Sequence, residues 1–164
     1  MRIGFGFDVH KLVENHPFTL GGINIPHHKG AIGHSDADVL IHAICDALLG
    51  AANMGDIGLL FPDTDQKFKG IDSKILLQKV VQELSQKGYT IKNIDTTVCL
   101  QQPKIRPYIP QMQETLARTM SIPVENISIK ATTTENLGYT GRQEGVSAYA
   151  VALIVADVIK GIPT

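Results

Sequence analysis

Residues 2–10 read Arg2-Ile3-Gly4-Phe5-Gly6-Phe7-Asp8-Val9-His10 and, from Ile3 onward, alternate between apolar positions and positions that are small or polar. Successive side chains of a β-strand point to opposite faces of the sheet, so this period of two predicts a half-buried strand. One face carries four large apolar side chains, and the other carries Asp8 and His10. The two glycines on this second face are expected to leave space beside the polar pair.

A buried helix is predicted to follow this strand and to end near Gly50. The segment Ser35-Asp36-Ala37-Asp38 offers a serine N-cap and a carboxylate three residues later, which is the pattern of a capping box. The helix is apolar almost all round, as expected of a helix that is buried on every side. The exception is a polar stripe with a spacing of four residues, formed by Asp38, His42 and Asp46.

The remaining elements follow from turn and cap residues. A hairpin is predicted between Phe18 and Ile25, and a loop rich in Gly, Pro and Asp between Asn53 and Gly70. Further elements are predicted as a helix from Asp72 (N-cap) to Gly88, a strand at 94–101, a helix starting near Pro110, a strand at 127–131, a glycine turn at 138–141 and a strand from Gly145. This order indicates an α+β fold: one domain, residues 1–164, with a single mixed β-sheet and helices packed on one face.

The last predicted strand belongs to an apolar stretch from Val146 to Ile159 that is interrupted by Ser147 and Asp157. It is too short to span a bilayer. Its uniform apolarity suggests that both faces of the sheet are buried, and helices can cover only one of them. We therefore expect a partner subunit to cover the other face.

Composition narrows the class of protein. The 164 residues are 43% hydrophobic and 19% charged, and the formal net charge is −1, which argues against nucleic-acid or membrane-surface binding driven by bulk charge. Cys45 and Cys99 are the only cysteines and both lie in apolar surroundings, so a reducing cytoplasm is expected. The chain opens directly on strand-like sequence, which leaves no room for a signal or transit peptide.

Asp8, His10 and His42 are candidate metal ligands. Residues two apart on a strand and four apart on a helix each share a face, and nitrogen and oxygen donors on an apolar scaffold suit a divalent metal. Three protein ligands leave the fourth tetrahedral position open, which is typical of catalytic rather than structural zinc. Asp46 can orient a ligand imidazole by accepting a hydrogen bond from the ring nitrogen that does not bind the metal. Alternatively, Asp38 and Asp46 simply satisfy buried polar partners.

Three further segments can bind phosphate. His34-Ser35 precedes the helix, where backbone N–H groups and the helix dipole favour an anion, although an ordinary N-cap explains the serine equally well. Lys104 and Arg106 lie in a proline-bounded turn, where they either hold phosphate or are solvated. The segment 132–135 offers three threonine hydroxyls and a carboxylate, suited to phosphate and Mg²⁺, or else is only a strand end. Arg142 and Glu144, two apart, are expected to pair.

Eight segments in collinear order resemble the 2-C-methyl-D-erythritol 2,4-cyclodiphosphate synthase family: Gly4-Phe5-Gly6-Phe7-Asp8-Val9-His10, His34-Ser35-Asp36-Ala37-Asp38-Val39, His42-Ala43-Ile44-Cys45-Asp46-Ala47, Asp56-Ile57-Gly58, Phe61-Pro62-Asp63-Thr64-Asp65, Pro103-Lys104, Lys130-Ala131-Thr132-Thr133-Thr134-Glu135 and Gly141-Arg142. The block Ser-Asp-x-Asp-Val-x-x-His-Ala is the most specific part. The chain departs from the family pattern at Phe5, where His is frequent, at Ala37, where Gly is common, and at Tyr139, where Phe is usual.

This resemblance implies a step of non-mevalonate isoprenoid biosynthesis. The substrate would be 4-diphosphocytidyl-2-C-methyl-D-erythritol 2-phosphate, and the products would be the cyclic diphosphate and CMP. The enzyme would be a phosphorus–oxygen lyase and a homotrimer with active sites between adjacent subunits. An apolar cavity on the threefold axis would be able to hold an isoprenoid diphosphate.

The resemblance also implies residue roles. Zn²⁺ would bind Asp8, His10 and His42, and a second cation, Mg²⁺ or Mn²⁺, would reach Glu135. His34 and Thr133 would stabilise the transition state. Contacts to the erythritol, cytidine and phosphate groups would come from Asp8, Val9, His10, His34, Ser35, Asp56, Ile57, Gly58, Phe61, Pro62, Asp63, Thr64, Asp65, Leu100, Gln101, Gln102, Pro103, Lys104, Ile105, Arg106, Ala131, Thr132, Thr133, Thr134, Glu135, Tyr139 and Arg142.

Two other functions remain open at this stage. One is a different zinc enzyme, such as a phosphodiesterase or a pterin-type lyase, which would need a general base and for which His34 is the best candidate. The other is a non-catalytic trimer that binds isoprenoid diphosphates.

Overall fold

The computed structural model describes residues 1–62 and 64–157. Its helices and strands are, in chain order, β1 (Arg2–Glu14), β2 (Thr19–Leu20), β3 (Ile23–Asn24), β4 (Lys29–Ile32), α1 (Val39–Ala51), α2 (Ile57–Leu60), α3 (Ser73–Gln86), β5 (Tyr89–Cys99), α4 (Ile109–Met120), β6 (Ile127–Thr132), α5 (Gly138–Gly141) and β7 (Gly145–Ala156). Five strands form one sheet in the order β4-β1-β7-β5-β6, and β2 pairs with β3 in a separate hairpin. All pairs in the main sheet are antiparallel except β5–β6, so the predicted mixed α+β sheet is confirmed.

Two glycines of β1 bring α1 against the sheet. A Cβ atom at Gly4 or Gly6 would overlap the carbonyl oxygens of Ala47 and Ala43 in α1. The expectation that these glycines leave space beside Asp8 and His10 is therefore wrong, because the helix backbone fills that space. This close approach places the first turn of α1 beside the polar end of β1.

The opposite face of β1 is exposed in the single chain. Ile3 is 70% exposed and Phe5 63%, and Phe7 and Val9 on the same face are also exposed. Tyr149 and Val151 of the paired strand β7 extend this apolar patch, whereas the residues of β7 that face α1 are buried. Within one chain, then, helices cover one face of the sheet and the large apolar side chains of β1 lie on the other.

Helix α1 begins later than its capping-box pattern indicates. Its N-cap is Asp38, whose carboxylate accepts the Ile41 backbone N–H at 3.1 Å, and not Ser35. The Asp38 carboxylate also accepts the N–H groups of Gly21 (2.9 Å) and Gly22 (2.6 Å), so it ties the β2–β3 hairpin to the helix. These three bonds satisfy a side chain that is fully buried and whose pKa is raised by that burial.

The other elements agree with the sequence except at their ends. Asp72 caps α3 as predicted, and Gly88 follows that helix with a positive φ of 73°. Helix α4 starts at Ile109 with Pro110 in its first turn. Strand β5 begins at Tyr89 rather than at residue 94, because it pairs with β7 along its whole length. The glycine turn at 138–141 forms the short helix α5.

Two predicted features extend beyond what the structure describes. The apolar stretch that ends at Ile159 passes Asp157, the last described residue, and Asp63 also lies outside the described residues. Among the residues described, no helix combines the length and apolarity needed to cross a membrane.

Candidate active site

Asp8, His10 and His42 meet at one point between β1 and α1. Asp8 Oδ2 lies 3.0 Å from His10 Nε2 and 3.0 Å from His42 Nδ1, and these two nitrogens are 3.1 Å apart. Four ligands around zinc at about 2.0 Å are about 3.3 Å from one another, so a triangle of this size suits three corners of a tetrahedral site. Two imidazoles and one carboxylate form a donor set that divalent zinc accepts.

The charges around the triad favour a cation. Burial opposes ionisation of Asp8, but hydrogen bonds from His10 and His42 outweigh it and hold the Asp8 pKa well below its usual range. Burial also lowers the His42 pKa, yet the hydrogen bond to Asp8 and the negative charges of Asp8, Asp38 and Asp36 raise it above its usual value. The site therefore combines an ionised carboxylate with a negative local potential, as a metal site requires.

The second nitrogen of His42 is held by two serines. Its Nε2 lies 3.0 Å from Ser35 Oγ and 2.9 Å from Ser73 Oγ. Ser73 Oγ also lies 2.5 Å from Asp36 Oδ1. Sequence reasoning missed Ser73, because a serine that follows the N-cap of a distant helix carries no signal of its own.

Asp46 has a different partner from the one proposed for it. Its Oδ1 accepts the backbone N–H of Ile57 at 2.8 Å, so it joins α1 to the start of α2, and burial raises its pKa. Within the described residues it forms no hydrogen bond to either histidine of the triad. The alternative interpretation, in which Asp46 satisfies a buried polar partner, agrees with this contact.

A cavity of about 350 Å³ opens beside the triad. Most of its lining was predicted from the sequence, namely His10, His34, Ser35, His42, Ile57, Gly58, Phe61 and Pro62, and the structure adds Phe68, Ile71 and Leu76. Within this region the Asp56 carboxylate caps α2 through the Leu59 N–H (2.8 Å) and is exposed, and Asp65 pairs with Lys67. The polar residues that line the cavity, His10, His34, Ser35 and His42, belong to the triad or precede α1, and the rest of the lining is largely apolar.

A second, smaller cavity of about 150 Å³ lies beside β6, at the other edge of the sheet. It is lined by Leu100, Pro103, Lys104, Ile105, Arg106, Ala131, Thr132 and Thr133, all of which belong to the predicted nucleotide-contacting set. Gln101 Nε2 donates to Asn136 Oδ1 at 3.1 Å, which links this turn to the segment after β6. A threonine-lined, doubly basic cavity of this kind suits a phosphorylated ligand.

Thr133 and Glu135 lie in the exposed turn after β6. Thr133 Oγ1 donates to Glu135 Oε1 at 2.9 Å, and Thr134 Oγ1 donates to the Leu137 carbonyl at 2.7 Å. Glu135 is not among the carboxylates and imidazoles that meet at the triad. Arg142 and Glu144 form a two-bonded ion pair, as expected, just before β7 begins at Gly145.

The two cavities of one chain are separated by the width of the sheet. His10 of β1 is paired with Val146 of β7, its neighbour Ser147 with Cys99 of β5, and Cys99 with Thr132 of β6. Three spacings of about 4.8 Å between neighbouring strands place β6 about 14 Å from β1. The threonine turn is therefore level with the triad along the strands but distant from it across the sheet.

Comparisons with known proteins agree with this architecture. The model of the YgbB family matches residues 1–155. The 2-C-methyl-D-erythritol 2,4-cyclodiphosphate synthase of Bacteroides thetaiotaomicron is 62% identical over 157 residues, which cover 96% of this chain and 99% of that protein. A homologue from Porphyromonas gingivalis with the same name is 60% identical over 96% of this chain and 97% of its own length.

Solved structures give the same result. A CDP-bound structure of 2C-methyl-D-erythritol-2,4-cyclodiphosphate synthase has a TM-score of 0.87 at 38% identity and covers 94% of this chain and all of that one. A CDP complex of IspF from Plasmodium falciparum has a TM-score of 0.84 at 33% identity, covering 96% of this chain and 97% of that one. The triad, the two cavities and these matches along nearly the full length lead to one conclusion: the chain belongs to the YgbB family of 2-C-methyl-D-erythritol 2,4-cyclodiphosphate synthases.

Proposed function

We propose that this protein converts 4-diphosphocytidyl-2-C-methyl-D-erythritol 2-phosphate into 2-C-methyl-D-erythritol 2,4-cyclodiphosphate and CMP, as its family does. The observation that carries this proposal is the cluster of Asp8, His10 and His42 at the mouth of a cavity large enough for a small phosphorylated polyol. The donor set favours Zn²⁺ at this cluster. A second cation, Mg²⁺ or Mn²⁺, would be held by Glu135 together with substrate phosphates.

In this reaction the protein has to position the substrate and neutralise its charge, and it does not have to supply a nucleophile. An oxygen of the substrate's 2-phosphate forms a new bond to its own β-phosphorus, and the bond from that phosphorus to the oxygen bridging it to the α-phosphate breaks. CMP leaves with the bridging oxygen and its electron pair. Divalent cations, when bound, neutralise the phosphate charge that such a transfer gathers.

Residues of the first cavity would contact the reacting phosphates and the methylerythritol chain, and residues of the second would contact the cytidine diphosphate group. His34 and Ser35 line the first cavity beside the triad, where they can donate hydrogen bonds to the reacting phosphates. The apolar wall of this cavity suits the methylerythritol carbon chain. In the second cavity, Lys104 and Arg106 lie beside the hydroxyls of Thr132 and Thr133 and can hold the phosphates of the cytidine diphosphate group. Two solved relatives are complexes with CDP, which supports a cytidine diphosphate group as part of the substrate.

We further propose that each active site is built from two copies of the chain. The substrate must touch both the triad and the threonine turn while its diphosphate reacts, yet within one chain β1 and β6 are about 14 Å apart. A neighbouring copy can bring its second cavity to the first cavity of this one. The exposed apolar face of β1 and β7 offers the surface for such assembly. The family resemblance favours a homotrimer with an axial cavity for an isoprenoid diphosphate.

Assembly can be tested by sedimentation. We expect the chain of 17.8 kDa to sediment as a three-chain species at micromolar concentration. The variant Phe7→Asp is expected to dissociate and to lose stability, because it places a charge in the apolar face. The matched control Lys79→Asp alters an exposed residue of α3, which packs against α1 on the other face of the sheet. A monomeric, fully active wild-type protein would contradict the shared site.

The reaction itself is tested by incubating the protein and divalent cations with the cytidyl substrate. We expect equimolar CMP and cyclic diphosphate, detected by chromatography and ³¹P NMR. A zinc phosphodiesterase would instead release a linear, hydrolysed product. A non-catalytic isoprenoid-diphosphate-binding trimer would leave the substrate intact. Either outcome would contradict the proposed activity.

A further inference from the structure

We propose that Ser73, held by Asp36, is a positioning residue that fixes the ring orientation and tautomer of His42, and that Ser35 is thereby left to serve the ligand cavity. The inference rests on the proposed metal site, because it concerns how one of its three protein ligands is supported.

The ring of His42 has only one nitrogen that can face the metal. Its Nδ1 lies 3.0 Å from the Asp8 carboxylate and 3.1 Å from His10 Nε2, so Nδ1 belongs to the triad. A neutral imidazole that offers the lone pair of Nδ1 to a metal carries its proton on Nε2. The Nε2–H group of His42 then needs a hydrogen-bond acceptor within the protein.

Two hydroxyls compete for this N–H group, and their other contacts distinguish them. Ser73 Oγ is 2.9 Å from His42 Nε2 and 2.5 Å from Asp36 Oδ1. A carboxylate can only accept, so the Ser73 hydroxyl donates its hydrogen to Asp36 and has lone pairs free for the His42 N–H. The resulting chain, His42 N–H to Ser73 and Ser73 O–H to Asp36, has one consistent direction.

The carboxylate at the end of this chain is itself fixed. Asp36 Oδ2 accepts the backbone N–H of Ser73 at 3.1 Å, and its Oδ1 accepts that of Asp38 at 3.3 Å. Asp36 therefore ties the segment before α1 to the start of α3. The loop at 53–70, which lines part of the cavity, leads into α3. Asp36 therefore supports His42 through Ser73 and also fixes the start of the helix that follows this loop.

Ser35 has a different environment. Its Oγ lies 3.0 Å from His42 Nε2 and 3.4 Å from Ser73 Oγ, and it accepts the Ala37 N–H at 3.3 Å. It lines the cavity and, among the described residues, has no carboxylate partner. Ser73, by contrast, is fully buried. With the His42 proton directed to Ser73, the hydrogen of the Ser35 hydroxyl points to Ser73 Oγ over a long 3.4 Å contact and can turn to a phosphate oxygen in the cavity.

Zinc affinity of the purified protein, measured by competition with a chromophoric chelator, tests this assignment. Removal of a group that supports a metal-bound histidine typically weakens metal binding about 10- to 100-fold. We expect a loss in this range for Ser73→Ala and a smaller loss for Asp36→Asn, which keeps an acceptor but removes the charge. Ser35→Ala is the matched control at the same nitrogen and is expected to keep the wild-type zinc affinity.

A spectroscopic readout separates positioning from general destabilisation. In the zinc-loaded wild type, ¹H–¹⁵N correlation spectra of the histidine rings should show a water-protected Nε2–H signal from His42. Ser35→Ala should keep this signal, whereas Ser73→Ala should lose its protection. Asp36→Asn provides a second measurement if Ser73→Ala folds poorly.

The possible failures are distinguishable. If His42→Ala removes zinc but Ser73→Ala and Asp36→Asn bind it as the wild type does, the positioning role is wrong and the metal site stands. A larger effect of Ser35→Ala than of Ser73→Ala would also overturn the assignment. If His42→Ala leaves zinc binding unchanged, the proposed metal site itself fails.

Discussion

Replacing His42 with alanine is expected to empty the metal site and to lower kcat by about a thousandfold or more. The substitution removes one of the three proposed protein ligands, and among the described residues no further carboxylate, imidazole or thiol joins this cluster. Neutralisation of phosphate charge by a metal contributes several kcal/mol to a transition state, and about 4 kcal/mol corresponds to a thousandfold in rate. Metal analysis of the purified protein and CMP release measure the two effects.

A matched control is available in His28, an exposed histidine near the distal end of β1 that lies outside the triad. His28→Ala is expected to keep both metal and turnover. Glu135→Gln is expected to keep zinc and to respond more weakly to added Mg²⁺ or Mn²⁺, because it changes only the proposed ligand of the second cation. Full metal occupancy in His42→Ala would refute the assignment of the triad.

Two inactive variants are expected to restore activity when they are assembled together. One chain carries His42→Ala, and the other carries Thr133→Ala with Glu135→Gln. If each site combines the triad of one copy with the threonine turn of the next, every trimer that contains both kinds of chain has both halves intact in about a third of its sites. Co-expression with two affinity tags and a CMP assay on the doubly purified protein measure this recovery.

The control for this experiment pairs His42→Ala with Asp8→Ala. Both substitutions damage the same half of the site, so their co-assembly should recover no activity. A mixture of the first pair that also remains inactive, despite verified co-assembly, would show that the site does not extend across two copies. Recovery to about the predicted third would assign the triad and the turn to different subunits.

Local sequence determined the elements and most of the chemistry. The alternation of β1 places Asp8 and His10 on one face because strand side chains repeat every two residues, whatever the rest of the chain does. Asp72, Pro110 and Gly88 mark helix ends through their own backbone preferences. For the same reason the resemblance to the synthase family could be found from short segments: the chemistry resides in residue types at fixed local spacings.

Tertiary packing decided which face of β1 is buried. Phe5 and Phe7 are the larger apolar side chains of this strand, yet α1 packs on Gly4 and Gly6 and leaves the phenylalanines exposed in the single chain. A glycine pattern shows that something approaches closely but does not identify it, because the helix that fills the space lies more than thirty residues further along the chain. A shorter separation, of 16 and 17 residues, hid the true cap of α1, since Asp38 takes its other partners from the β2–β3 hairpin.

Only the folded chain could reveal Ser73 and the separation of the two cavities. Ser73 reaches His42 because α3 packs against α1, and the hydrogen bond depends on that contact and not on any motif. The sheet order places β7 and β5 between the triad and the threonine turn, although the sequence suggests a single set of substrate contacts. Residue types and local spacing thus determined which groups can act, whereas long-range pairing of strands and helices decided which of them meet within one chain.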